Sequence, residues 1–147
     1  MIIRIIKAGI LLILLIYASV RDIKTRIVPD CVSVMLIILG LCGTGDSELP
    51  SMILGFFAAF LPLLIPALIK PEKAVGGADI KMSGAAGFLL GMPGGLSALI
   101  IGMTLALIVI SVRTVIKKHP HGGSFPLIPF LSVGIAAVYF IQNGGIR

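Results

Sequence analysis

Long uncharged runs separated by short polar clusters are the main pattern of this chain. The run Leu49–Ile69 has about the length that a helix needs to cross a bilayer, which is roughly 20 residues. The run 8–20 reaches a similar length when the isoleucines before it are included, and the run 31–45 when Ile27 and Val28 are included. Each of these three runs therefore predicts a membrane-spanning helix.

The later part of the chain holds a longer run that needs a different interpretation. Residues 82–112 carry no charge, but the sequence G-M-P-G-G at 91–95 interrupts them, and such a cluster of glycine and proline indicates a turn. We interpret the region as two spans, near 79–91 and 94–113. The run 122–146 then predicts a last span.

Composition decides what kind of protein these helices build. Hydrophobic residues make up 58% of the chain and charged residues 12%, with a mean hydropathy of +1.16. Soluble domains contain about 25% charged residues, because they have a surface to solvate. We therefore predict an all-α polytopic membrane protein with about six transmembrane helices, embedded in a lipid bilayer as a single domain over residues 1–147. No A-x-A site follows the first span, so we expect that span to be retained.

The net charge of +6 is explained by topology better than by nucleic acid. The basic residues form small groups between apolar runs, without interleaved aromatic residues, so we expect no nucleic-acid partner. Alternating the predicted loops leaves only Arg4, Lys7 and Arg147 on one side. The positive-inside rule then places the other side in the cytosol, and we expect a multi-pass protein of the cytoplasmic (inner) membrane. The basic residues predicted to face the cytosol are Arg21, Lys24, Arg26, Lys70, Lys73, Lys81, Arg113, Lys117 and Lys118.

Two carboxylates have positions that suggest chemistry. Asp22 follows the first span and Asp79 begins the fourth, and two spans separate them, so both are predicted on the cytosolic side. Ionisable residues near membrane depth are costly and are functional candidates for that reason. A structural role is the alternative for each: Asp79 could be a helix N-cap, and Asp22 could pair with Arg21 or Lys24 at the interface.

The neighbours of Asp79 favour the functional interpretation. Gly76, Gly77 and Ala78 precede it and offer little side chain, so a substrate backbone could come close. Small residues then recur every four positions and predict close helix packing; they are Ser83, Gly87 and Gly91.

These segments resemble those of type IV prepilin peptidases, which are membrane aspartyl proteases of the G-x-G-D class. R-D at 21–22 with R-I-V-P-D at 26–30 is similar to the family's D…R-x-I-P-N element, and G-G-A-D-I-K-M at 76–82 to its G-x-G-D-V/I-K-L element. F-P-L-I-P-F at 125–130 is similar to its P-F-G-P-F region. The chain departs from the family at Ala78, which replaces a glycine, at Val28, which takes the isoleucine position before Pro29, and at Asp30, which replaces an asparagine.

The resemblance implies a function and a set of site residues. It implies an aspartic-type endopeptidase that removes the leader of prepilin-like proteins, in type IV pilus assembly or protein secretion, at the cytosolic membrane face. Asp22 and Asp79 would be catalytic, and no metal or cofactor is implied. The family's longer members carry a methylating domain that this chain does not match, so a short form is expected. The matching motifs also imply residues that support the two aspartates; they are Gly76, Gly77, Ala78, Lys81 and Pro29.

Two other functions remain open at this point. The same aspartates could form the relay of a small ion- or proton-coupled carrier, or the chain could be a non-catalytic component of a pilus or secretion system. His119 and His121 form an isolated H-x-H without further ligands nearby in sequence, so we do not expect a metal site there.

The helix dipole predicts how a shared proton would be placed. Asp22 lies at the C-terminal end of its predicted helix, where negative charge is disfavoured, and Asp79 at an N-terminal end, where it is favoured. From the sequence we expect Asp79 to be the ionised base and Asp22 the protonated acid.

Overall fold

The chain folds into helices throughout the part that the structure describes. A computed structural model describes residues 2–42, 48–69, 76–117 and 125–144, and these contain no strand. The predicted all-α class is confirmed. The five helices are α1 (Ile2–Thr25), α2 (Asp30–Leu41), α3 (Leu49–Ile69), α4 (Gly77–Lys117) and α5 (Ile128–Gly144).

Three helices are long and apolar enough to cross a membrane: α1, α3 and α4. The other two are shorter apolar helices. At 12 residues, α2 is about 18 Å long, less than the roughly 30 Å of a bilayer's hydrocarbon core. The structure therefore supports a membrane protein, and the count of about six spans stays a prediction.

The start of α2 differs from the prediction that Ile27 and Val28 extend it. Neither residue is helical. Arg26 has a positive φ of 54°, and Pro29 caps α2 from an extended conformation, with φ −62° and ψ 139°. A proline ring disfavours helical backbone in the residue before it, which explains why Val28 does not extend α2 towards the N-terminus.

Gly91 breaks α4 into two segments, 77–90 and 92–117. Its φ of 72° and ψ of 178° are non-helical, and glycine adopts a positive φ at little cost. A Cβ added at Gly95 would lie 2.5 Å from the Cα of Gly87, whereas residues eight apart in a straight helix are separated by about 12 Å. The two segments therefore fold back on each other, and the predicted break in this run is confirmed.

The small residues of segment 77–90 pack against α3. A Cβ at Gly87 would overlap the backbone of Gly55, and a Cβ at Gly55 would overlap that of Gly87. One turn before, Ser83 donates a hydrogen bond to the carbonyl oxygen of Ala59, at 3.1 Å. The predicted small-residue stripe thus brings two backbones into direct contact.

Helix α4 occupies the centre of the bundle. It packs against α2, α3 and α5, and α1 packs against α2 and α5. No Cα atom of α1 lies within 8 Å of a Cα atom of α4. Leu11, Leu15 and Ala18 form the buried stripe of α1, and the outer faces are apolar, with Ile13 for example 68% exposed. Such a surface suits lipid.

Some predicted features lie outside the described residues. They are His119, His121, Lys70, Lys73, Lys118 and Arg147.

Candidate active site

Asp22 continues the buried stripe of α1. It follows Ala18 by one helical turn and is 8% exposed. Its Oδ2 accepts a hydrogen bond from the backbone N–H of Ile128, at 3.2 Å. Because Ile128 is the first residue of α5, the Asp22 carboxylate lies at the N-terminus of a neighbouring helix, where negative charge is stabilised.

Asp79 lies in the first turn of α4 and holds an unpaired buried oxygen. Its backbone N–H donates to the carbonyl oxygen of Gly76, at 3.0 Å. Its Oδ1 is buried without a hydrogen-bond partner, and no other side-chain atom among the described residues shares that condition. An unsatisfied buried carboxylate oxygen is costly, so a side chain in this state fits a functional acid better than an ordinary N-cap.

The two carboxylates lie within electrostatic range of each other. The charge of Asp22 acts on Asp79, although the backbones of α1 and α4 stay more than 8 Å apart at every Cα pair. The interaction is therefore one between the two side chains and not between adjacent backbones. Carboxylates that interact closely hold one proton between them more readily than two charges or none.

The environment of the pair favours the opposite proton placement to the one expected from the sequence. Asp22 lies near the C-terminus of α1 and also at the N-terminus of α5, and these two helix ends have opposite effects on its charge, so helix dipoles distinguish it from Asp79 less than the sequence predicts. The hydrogen bond from Ile128 stabilises an ionised Asp22. Burial of the unpaired Oδ1 disfavours charge on Asp79.

The three small residues before Asp79 have different surroundings. A Cβ added at Gly76 would lie 3.0 Å from Oδ2 of Asp79, whereas one at Gly77 would meet nothing within 4 Å. Arg26 is the only described non-glycine residue with a positive φ, so Ala78 occupies a backbone conformation open to any residue. Gly76 is therefore the position at which a side chain would crowd the carboxylate.

An ion pair joins the two motifs that flank the aspartates. Lys81 Nζ lies 2.7 Å from Oδ2 of Asp30, and both side chains are well exposed. Asp30 begins α2 directly after its cap, Pro29. The pair connects the start of α2 to the first turn of α4 beside Asp79, although exposure limits its energy to about 0–1 kcal/mol.

Sequence reasoning missed the part of α5 in this site. The amide of Ile128 has no side-chain signature, and only the similarity at 125–130 pointed to this region. One turn further on, Ser132 accepts a hydrogen bond from the Ser19 hydroxyl, at 3.0 Å. These contacts hold α5 beside Asp22.

The described residues bring together no group of three or more histidine, cysteine, aspartate or glutamate side chains that could hold a metal ion. The chemistry available at the site is that of two carboxylates, Asp22 with a hydrogen bond from the Ile128 amide and Asp79 with one buried oxygen, Oδ1, that has no partner among the described residues.

The sequence around this site matches a known protein family. A family described as the type IV leader peptidase family matches residues 9–111, a range that contains Asp22, Asp79 and both motifs around them. No curated protein and no solved structure shows a match to the chain. The match covers most of the sequence, and the chain belongs to the type IV leader peptidase family.

Proposed function

We propose that this protein is a membrane aspartyl endopeptidase that removes the leader of prepilin-like proteins, with Asp22 and Asp79 as its catalytic pair. The observation that carries the proposal is the unpaired, buried Oδ1 of Asp79, within electrostatic reach of Asp22. Family membership supports leader peptides as the substrate class. The bias of basic residues supports cleavage at the cytosolic face of the cell membrane.

The proposed reaction is a general acid–base hydrolysis. Ionised Asp22 takes a proton from water, whose oxygen attacks the scissile carbonyl carbon, while Asp79 gives its proton to the carbonyl oxygen. The tetrahedral intermediate then collapses: a hydroxyl returns a proton to Asp79, the C–N bond breaks, and the leaving amine takes the proton from Asp22. Each positioned carboxyl group contributes about 10²- to 10⁴-fold in rate, and both groups return to their starting states.

The apolar exterior supports a substrate that arrives within the bilayer. A prepilin-like protein presents a short basic leader before a hydrophobic segment, and that segment would pack against the exposed apolar faces of the helices. The scissile bond would then lie at the level of the helix ends that carry Asp22 and Asp79.

Leader removal in cells tests this function. The protein is expressed together with a candidate prepilin, and the electrophoretic mobility of the prepilin is compared with and without it. We expect the faster-migrating, leaderless form only when the protein is present. Failure to process any of a panel of prepilin-like substrates would contradict the proposal.

The carrier alternative lacks comparable support. Among the described residues, the buried polar side chains are Asp22, Ser83 and Ser132. Ser83 is one turn from Asp79, and Ser132 is one turn from Ile128. Apart from the hydroxyl of Tyr139, which lies on the wall of a cavity at the other end of the bundle, the rest of the buried core among the described residues is apolar, and this does not favour a polar relay along the helices.

The placement of the shared proton gives a spectroscopic prediction. We expect the resting protein to show the infrared band of a protonated carboxyl group that disappears in Asp79→Asn and persists in Asp22→Asn, because the Ile128 amide stabilises charge on Asp22 and burial of Oδ1 disfavours charge on Asp79. Loss of the band only in Asp22→Asn would reverse the roles of acid and base.

Crowding of Asp79 gives a second prediction. Gly76→Ala is expected to lower the rate of leader cleavage by about tenfold to a hundredfold, because displaced catalytic groups lose alignment and the new Cβ meets the carboxylate. Gly77→Ala is the matched control and should retain the wild-type rate. Initial rates of cleavage for the two variants decide the matter, and equal rates would contradict a role for the space at Gly76.

Topology gives a third prediction, from the bias of basic residues. In a protein without native cysteines, Glu48→Cys should react with an impermeant thiol reagent added outside intact cells, and Glu72→Cys should not. Permeabilised cells supply the control, in which both should react. The reverse pattern would place the aspartates on the face opposite to the cytosol.

A further inference from the structure

A cavity of about 640 Å³ opens at the end of the bundle away from the aspartates. Arg4 and Lys7 line it from the first turns of α1. Asp22 lies 18 residues further along α1 than Arg4, which corresponds to about 27 Å. The cavity is therefore separate from the candidate active site.

The polar side of the cavity is cationic. Arg4 makes no hydrogen bond or ion pair with any described residue, and its charge reaches Tyr139 at the cavity wall. Lys7 donates a hydrogen bond to the carbonyl oxygen of Cys42, at 2.6 Å. Glu48 is the one carboxylate among the lining residues and pairs with neither cation in the described structure. Within the described part of the chain, the Arg4 guanidinium thus lines the cavity without a hydrogen-bonding or ion-pair partner.

Neutral hydrogen-bonding groups and apolar side chains complete the lining. Ser51 and Gln142 lie beside the cations, and the Gln142 side chain reaches the carbonyl oxygen of Leu90, at 3.4 Å. Ile3 and Leu89 line the same cavity. A ligand that fits would need an anionic head and an apolar part.

We propose that this cavity binds a phospholipid through its phosphate group, with Arg4 as the principal ligand. The guanidinium fork matches phosphate oxygens in two parallel hydrogen bonds. Arg4 lies at the first turn of a helix long enough to span the bilayer, the level at which lipid phosphates are found. Ile3 and Leu89 would contact the start of the acyl chains. The proposal does not depend on the peptidase function.

Native mass spectrometry of the full chain released from detergent tests this site. The probe is dioleoylphosphatidylglycerol, with dioleoylglycerol as the comparator without phosphate and glycerol phosphate as the comparator without acyl chains. We expect one retained phosphatidylglycerol, no retained dioleoylglycerol and no displacement by glycerol phosphate. Arg4→Gln should weaken retention about tenfold, since it removes a charged hydrogen bond, and Arg4→Lys should weaken it less.

Lys24→Gln is the matched control, because it removes one positive charge from the other end of α1. It should retain the lipid as the wild type does. Equal retention by Arg4→Gln and wild type would overturn the proposal, as would an equal loss in Lys24→Gln or equal binding of dioleoylglycerol. Displacement of the lipid by glycerol phosphate would show that the cavity binds a free phosphate group as well as a lipid, and would contradict the proposal of a phospholipid site.

Discussion

Asp22→Asn and Asp79→Asn are each expected to abolish leader cleavage while leaving the protein inserted in the membrane. An amide can neither take a proton from water nor donate one as a carboxylic acid does, so each change removes one half of the acid–base pair. The loss should reach about 10²- to 10⁴-fold or more for each variant. Processing of a co-expressed prepilin-like substrate, at matched membrane levels of each variant, measures it.

Asp30→Asn is the control for these two changes. Asp30 is exposed and forms an ion pair with Lys81. An asparagine at this position can still accept a hydrogen bond from Lys81. It also restores the residue that is usual in the family motif. We expect near-normal cleavage by this variant, and substantial cleavage by either Asp22→Asn or Asp79→Asn would contradict the catalytic pair.

The second large effect is expected on stability. Gly87→Ala should lower the free energy of unfolding by about 1–3 kcal/mol, the usual cost of inserting atoms into a packed core. The added Cβ would lie 2.7 Å from the carbonyl carbon of Gly55 and 2.9 Å from the Cβ of Ala59. Because backbone atoms of α3 are involved, rotamer changes cannot relieve the contact.

Thermal unfolding in detergent or lipid nanodiscs measures this loss. Gly9→Ala is the matched control, since a Cβ there meets nothing within 4 Å, and its midpoint should stay at the wild-type value or rise slightly, given alanine's better helix propensity. A Gly87→Ala protein as stable as Gly9→Ala would contradict the direct backbone contact between α3 and segment 77–90.

The pattern of apolar residues predicted much of the helical architecture. The bounds of α3 follow from its uncharged run, and the break at Gly91 follows from the glycine and proline cluster. The prediction that Ile27 and Val28 extend α2 was wrong, because hydropathy does not include the effect of a proline on the residue before it. The sequence also did not indicate that the backbone of α1 approaches α2 and α5 more closely than α4, since helix contacts depend on packing in three dimensions.

The candidate site was accessible to sequence reasoning only in part. The two aspartates could be selected by position and motif, and the buried stripe of α1 also leads to Asp22. The helix-dipole argument considered each aspartate only on its own helix. It could not include the N-terminus of α5, which tertiary packing brings to Asp22 through the amide of Ile128.

Cleavage by the purified protein is the most direct test of the central claim that Asp22 and Asp79 hydrolyse a leader peptide. The protein and a purified prepilin-like substrate are combined in lipid without added metal or cofactor, and mass spectrometry follows the substrate over time. We predict that the wild type releases a leader and a mature chain whose masses add up to the mass of the substrate plus one water, and that neither Asp22→Asn nor Asp79→Asn releases these products. An intact substrate with the wild-type protein, or the same products with either variant, would contradict the account.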